Sequence, residues 1–489
     1  MQRGGWEELT LHNRGQEGAP LGLGLGRGQG RIPGRSPATP ATTAFATSAM
    51  PNLTLPAALR THAAVRCRRL RTRNLRCRAR ADPQYDVVSL GNLCVDAFLN
   101  VPECAAAEPD TANRLTFAMQ SDVHLKDPSM LELLVEKQAH GVLDPVPLEA
   151  GGHCNFLIAA SRLGLKVAAW GHIGADSNGT FLSDVLTSEG VTHLPMESGD
   201  DVDTTLTCYV LVDDKSEHRF CSRYDFGPWP LLPDPVEGDD KHTSGFGLCV
   251  NGFSFDELEG ERVWKFARDV RETPDGFVLF DPGPRCKRFA LPAGEDNDEQ
   301  HVLGSWPSCV DILCVTREEG LQLLRERPSA RAVASDDPLA LAATLLLCEE
   351  DAVLQWVVVK LGDRGAVLVE RNSRGDAGSG YLVYNGVDVG VHVSPAVQVP
   401  EVVDTVGCGD SFAAALALGY RRGWAADRAL ALAAAVGGAT ATRRGAGRNV
   451  ADMKTVCTLL TEPRDYDAEE SDPGELGAKV WVLNELSRQ

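Results

Sequence analysis

The chain has 489 residues, 43% hydrophobic and 24% charged, enough for a large core and, by length alone, two to three domains. Its net charge of −20 conceals a split: residues 1–80 hold fourteen Arg against three acids, a net +11, while residues 81–489 hold 34 basic and 65 acidic side chains, a net −31. Such an acidic body argues against a nucleic-acid-binding fold but not against ATP, because local groups override net charge; no 18-residue apolar run offers a membrane span.

Residues 1–80 are rich in Arg, Ala, Thr and Gly and poor in acids, the composition of an organelle transit peptide. From Met50 to Ala81 there are nine Arg and no acid, so Met50 is a candidate true start, with 1–49 an upstream extension. The plainer alternative is a disordered basic tail that binds nucleic acid or anionic lipid. Fourteen Cys are scattered without CxxC or zinc spacing, a pattern of reduced, mostly buried thiols.

In chain order, Tyr85–Gly91 is a mostly apolar run ending in glycine and reads as a first buried strand. Asp96 follows it, where open α/β sheets bind ligands. Residues 103–148 are polar, with one helix expected over Met130–Ala139. Gly151-Gly152-His153-Cys154-Asn155 precedes a helical spacing over Phe156–Leu163; paired glycines admit a ligand closely, and an Asn can both donate to and accept from hydroxyls. A tight turn with a helix cap is the simpler reading of that stretch. Lys166–Gly171 reads as a strand and Phe181–Glu189 as a helix. Thr205–Val212 and Glu217–Tyr224 form an expected hairpin, a candidate lid.

Strand Leu248–Gly252, helix Glu257–Arg271 and strand Gly276–Phe280 follow, the last ending in Asp281-Pro282-Gly283-Pro284-Arg285. Residues 286–305 read as a loop insertion. Strand Val310–Val315, helix Glu318–Arg325, a disordered-looking Glu326–Asp337 and helix Pro338–Glu349 lead to strand Trp356–Leu361, the turn Gly362–Gly365 and strand Ala366–Glu370. This alternation implies a parallel sheet with helices on both faces. Ala425–Thr442 is a small-residue helix, and the tail from Glu462 is acidic and expected to be peripheral.

The densest signal is residues 403–413, Val-Asp-Thr-Val-Gly-Cys-Gly-Asp-Ser-Phe-Ala, where the extended-looking run Val397–Val403 meets a helical one at Phe412–Tyr420. Glycines let the backbone turn there, and the helix start offers free N–H groups and a positive dipole end to an anion. Asp410 beside that cradle suits phosphoryl transfer, in which a carboxylate takes the proton of an attacking hydroxyl. The plainer reading is a glycine turn with Asp410 as an N-cap.

Taken together and in order, Asp96, Gly-Gly-x-x-Asn, the hairpin, Asp-Pro-x-x-Arg, Lys-x-Gly-x-x-Gly and Asp-Thr-x-Gly-x-Gly-Asp resemble the ribokinase-like (PfkB) carbohydrate and nucleoside kinases over residues 84–460. The chain is most similar to the PfkB-like proteins of plant and algal plastids, so a chloroplast (plastid stroma) location is expected. The resemblance implies a Rossmann-like three-layer α/β sandwich with a mainly parallel sheet, a small β lid (strands near 96–150 and 205–225), and transfer of the ATP γ-phosphate to a hydroxymethyl group of a sugar, sugar phosphate or nucleoside. By that resemblance Asp410 is the general base, and the N–H groups of Gly407, Cys408 and Gly409 form the anion hole. Asp96, Gly151, Gly152 and Asn155 hold the acceptor, while Lys360, Gly362 and Gly365 line ATP. Glu319 is linked to Mg2+, Asp404 and the loop near Gly445 to a monovalent cation such as K+, and Arg285 is either a phosphate contact or a surface residue.

Two positions depart from the family pattern. Cys408 stands where Ala is usual, a position of which only backbone is asked. Thr316 replaces the Asn of an Asn-x-x-Glu motif, so either its hydroxyl takes over or metal handling is altered. The alternative function is a plastid PfkB-like binding or regulatory protein with little turnover. A Rossmann dehydrogenase is excluded, since no Gly-x-Gly-x-x-Gly follows the first strand. An exposed lid edge is a candidate homodimer contact.

Overall fold

A computed structural model describes residues 84–120, 127–139, 148–196, 204–214, 218–222, 245–291, 302–334, 337–371, 380–384, 386–461 and 473–486. Met1–Arg78 forms a unit separate from Ala79–Gln489. The expected transit segment and Met50 lie outside the described residues, as does 462–472 of the acidic tail.

The strands are β1 (Val87–Leu90), β2 (Leu93–Asn100), β3 (Leu148–Gly152), β4 (Val167–Gly171), β5 (Val191–Pro195), β6 (Leu206–Val212), β7 (His218–Ser222), β8 (Gly247–Asn251), β9 (Phe277–Asp281), β10 (Ile312–Thr316), β11 (Trp356–Lys360), β12 (Ala366–Arg371), β13 (Gly380–Tyr384) and β14 (Val387–Ser394). Ten of them form one sheet in the order β13-β14-β12-β11-β10-β9-β8-β1-β4-β5. From β11 to β5 all neighbours are parallel, and β12, β14 and β13 add an antiparallel edge. The parallel strands are near-continuous apolar runs, such as Val357-Val358-Val359, because helices cover both faces.

One face buries Phe156, Phe277, Leu416 and Leu432; the other buries Trp264, Phe280, Phe289 and Trp306. The helices Cys408–Arg421 and Ala426–Ala441 approach closely where a Cβ on Gly419 would stand 2.4 Å from that of Ala429. The small-residue helix expected from the sequence therefore packs on the very helix that begins at the glycine motif.

A second sheet, β3-β2-β6-β7, is the lid. The chain leaves β1 for it through Gly91 and Asn92, both at positive φ (66° and 55°). Asp96 thus sits within a lid strand, directly across from Glu149 on β3, and not in a loop past β1. Helices Val101–Ala107, Pro109–Ala118 and Pro128–Ala139 fill the polar 103–148 region, where one helix was expected. Leu115, Met130 and Leu134 bury one face of the lid against Ala97, Leu99, Tyr209 and Leu211.

Other differences have local causes. Residues 283–289 form a 3₁₀ helix, and Phe289, Leu291 and Trp306 fill the core, so the described part of the 286–305 region is packed structure and not a surface loop. Helix Pro328–Ala334 occupies the stretch that looked disordered; Pro at its start suits a helix N-terminus. Residues 395–405 lie outside any strand despite their valines, and Val402 is 60% exposed. In the tail, helix Pro473–Leu486 is not peripheral: Val482 is fully buried, and Trp481 meets Trp424 edge-on at 4.9 Å.

Candidate active site

The site lies at the carboxyl ends of the parallel strands, where open α/β sheets expose strand termini to ligands. Asp281 is the last residue of β9, Thr316 of β10 and Lys360 of β11, and Thr316 and Lys360 are register partners. Helix Cys408–Arg421 begins beside them. Its N-cap is Gly407 at φ 80°, a left-handed conformation that costs an L side chain energy. Asp410 is therefore the third residue of the helix, not its cap.

The Cys408 N–H is engaged with the Thr405 carbonyl at 3.3 Å. Among the described residues none accepts from the N–H groups of Gly409 and Asp410, so these are the open donors of the first turn. Burial, with the charges of Asp404 and Asp410, pushes the Cys408 thiol up to about 12, leaving it a protonated side chain on the cradle.

Asp410 accepts from Asn155 Nδ2 at 3.1 Å through Oδ2. Asn155 lies in the first turn of helix His153–Arg162, one turn earlier than the spacing suggests, and its Oδ1 accepts from Gly447 N at 2.8 Å. His153 fixes this turn by accepting its backbone bond to Asn92 O at 2.9 Å, with Nδ1 at 2.9 Å from Gly91 O. Burial and the nearby Asp281 charge push Asp410 up to about 6, against the lowering pull of Asn155 and Lys360. A carboxylate so placed is ionised at neutral pH yet basic enough to take a proton.

Asp96 is 5% exposed, and burial pushes it up to about 7, helped by the charges of Asp410 and Glu149. Gly151 lies against it: a Cβ there would stand 2.2 Å from the carboxylate. Gly152, at φ 59°, would likewise meet Asn92 O at 2.4 Å. The paired glycines thus serve a close approach within the lid hinge, and they bring Asp96 and Asn155 to one place.

Lys360 Nζ donates to Asp281 Oδ2 at 2.7 Å. Gly362, at φ 63°, faces open space, whereas a Cβ on Gly365 would meet Ser394 O at 2.1 Å, so Gly365 is required by backbone packing. Thr316 caps the helix Arg317–Leu323, accepting from Glu319 N at 3.2 Å, while Glu319 Oε2 accepts from Thr316 N at 2.7 Å. This complete capping box shows what the hydroxyl does in place of the Asn amide. Burial and the Asp281 charge raise Glu319 above the usual carboxylate range.

Asp404 Oδ1 accepts from Val406 N at 2.9 Å and lies 3.3 Å from His218 Nε2 of the lid, while Oδ2 accepts from Gly445 N at 2.7 Å. Arg285 is paired with Asp256 at 2.8 Å and lies over the Phe253 ring.

Two residues of the site carry no expectation from the sequence. Glu149 binds Arg448 bidentately, at 3.0 Å from both Nε and Nη2. It stands two residues before Gly151 on one strand face, so strand alternation was the available signal. Asp281 opens the quoted Asp-Pro-x-x-Arg motif, but only the fold places it beside Lys360.

The pattern of the pfkB family carbohydrate kinase matches residues 131–224 and 283–453. The chain is 23% identical over 333 residues to a probable fructokinase of Arabidopsis thaliana (Probable fructokinase-7), covering 64% of this chain and 84% of that protein. In structure it is similar to a probable sugar kinase from Rhizobium etli CFN 42, with TM-score 0.55, 19% identity, and coverage of 77% of this chain and 99% of that one. It is also similar to adenosine kinase from Sinorhizobium meliloti, with TM-score 0.55, 18% identity, and coverage of 75% and 97%.

The fold is ribokinase-like and the site is that of a carbohydrate or nucleoside kinase. The chain belongs to the pfkB family of carbohydrate kinases.

Proposed function

We propose that the protein transfers the γ-phosphate of ATP to a hydroxymethyl group of a sugar, sugar phosphate or nucleoside, with Asp410 as general base. The observation that carries this reading is Asp410 itself: a buried carboxylate in a helix's first turn, next to open N–H groups and bonded to Asn155. Asp96 and Asn155 hold acceptor hydroxyls, Asp410 takes the proton of the attacking one, and the Gly409 and Asp410 N–H groups stabilise charge on the phosphoryl oxygens. Gly362 has the open space that an adenine nucleotide needs. The lid excludes water when it closes over these groups.

Magnesium is normally held by one or two carboxylates together with substrate phosphates, and Glu319 and Asp281 fit that role; among the described residues no cluster forms a protein-only cage. The ion would neutralise phosphate charge. A monovalent cation fits less well, because both oxygens of Asp404 already take hydrogen bonds or face His218, and no step is derived through one. The reading places the protein in the plastid stroma, on the N-terminal composition alone.

The test is a screen of sugars, sugar phosphates and nucleosides with ATP and Mg2+, reading acceptor-dependent ADP release. At least one neutral hydroxymethyl acceptor is expected to raise ADP release well above the water-only rate. Release that no acceptor stimulates contradicts the proposal and returns the regulatory reading, although the intact Thr316 capping box weakens one reason for that alternative.

A further inference from the structure

Three carboxylates, Asp281, Glu319 and Asp410, act on one another at the strand ends, and Lys360 is the cation that bears on each of them. Its ammonium is 2.7 Å from Asp281 Oδ2, and both side chains are only 16% exposed. On the other side, a Cβ on Gly409 would stand 3.4 Å from Nζ. Lys360 therefore lies between Asp281 and the first turn whose Gly409 and Asp410 N–H groups are open.

The pair joins β9 to β11 across the end of β10. A buried pair of this kind adds little net stability over apolar packing, since desolvation offsets its attraction. Three neighbouring Val residues show that β11 is otherwise a core strand, so an ammonium at its end is better explained by an anion than by folding.

We propose that Lys360 is the cation that receives the γ-phosphoryl group beside the first turn of helix Cys408–Arg421, and that Asp281 positions it. This rests on the phosphotransferase reading above. In the transfer, the acceptor oxygen forms a bond to the γ-phosphorus. The bond from that phosphorus to the β–γ bridging oxygen breaks, and its electron pair stays on ADP. The hydroxyl proton goes to Asp410. Lys360 stays protonated throughout and balances charge on the equatorial oxygens, while Asp281 holds the ammonium at the distance where the cradle and the lysine meet the same group. Glycine at 409 leaves that space open.

The experiment uses the full chain and the variants Lys360→Met, Lys360→Arg, Asp281→Asn and Lys360→Met/Asp281→Asn, with ATP and ADP binding by calorimetry, turnover on a screened acceptor, and Tm. The wild type is expected to bind ATP more tightly than ADP. Lys360→Met is expected to lose about 10-fold or more in ATP affinity with ADP nearly unchanged, and about 100-fold in kcat, with acceptor KM little altered. Lys360→Arg recovers part of that loss. Asp281→Asn lowers kcat about 10-fold.

The double variant separates positioning from a merely structural pair. It removes the unpaired buried carboxylate left by Lys360→Met, so Tm is expected to return while turnover and the ATP preference do not. Equal weakening of ATP and ADP in Lys360→Met, no ATP preference in the wild type, or recovery of turnover in the double variant would each overturn the proposal. The two readings fail separately: a wild type that phosphorylates nothing, yet loses its ATP preference on Lys360→Met, sinks the proposed function and supports this inference.

Discussion

Asn155 and Asp410, 255 residues apart, meet at 3.1 Å and join the acceptor side of the site to the phosphate side. The amide nitrogen donates to the carboxylate, and its oxygen is held by Gly447 N, so the donor cannot rotate away without losing a buried bond. This contact lowers Asp410 while burial and Asp281 raise it, and the balance is about 6. A base that must be ionised gives activity that rises as pH increases through that value. The kcat/KM profile of the wild type is expected to have an acid limb near pH 6. In Asn155→Ala the donor that favours the ionised form is gone, so the limb moves to higher pH. Profiles of the two proteins check the sign.

The same groups set a pH dependence of stability. Asp410 and Asp96 are raised from ordinary values to about 6 and about 7, so the native state holds protons that the unfolded chain has released. Their contribution to stability therefore falls as pH rises from about 4 through 7. Asp96→Asn is expected to raise Tm at pH 8, where the buried charge is costly, and to leave it nearly unchanged at pH 4.

Gly151→Ala places a methyl group 2.2 Å from the Asp96 carboxylate, so the carboxylate or the β2–β3 pair must move. Overpacking of this kind costs roughly 1–3 kcal/mol. Acceptor KM is expected to rise more than ATP KM, which steady-state kinetics with each substrate varied will show.

Thr316→Asn keeps an N-cap acceptor and should leave stability within about 0.5 kcal/mol. Thr316→Ala removes it from the Glu319 N–H and should cost about 1 kcal/mol. Denaturant unfolding of the two variants tests whether the hydroxyl acts as a cap.

Trp481 packs edge-on against Trp424 and carries Arg428 over its ring at 4.2 Å. Trp481→Ala should cost about 2–4 kcal/mol, somewhat below the loss of a fully buried ring. A change under 0.5 kcal/mol in denaturant unfolding would return the tail to the periphery.

Most of the fold was legible because its parallel strands are short apolar runs and its helices keep a regular spacing. The site was legible where glycine marks a backbone demand, at Gly151, Gly152 and Gly407. What escaped was set by contacts between distant segments. Asp281 gains its place only when β9 and β11 flank β10, and Glu149 only when β3 pairs with β2. The helices of 101–118 bury few side chains on a short, polar sequence, so no periodicity announced them. The valines of 397–403 mimic a strand, but the chain there leaves the sheet to reach the glycine turn.

The central claim is that Asp410 takes the acceptor's proton. The most direct measurement is the rate of ATP-dependent phosphorylation of a screened acceptor by Asp410→Asn, with ADP affinity measured on the same protein. The expected result is a loss of about 10²- to 10⁴-fold in kcat with ADP affinity retained. Transfer at the wild-type rate would contradict it.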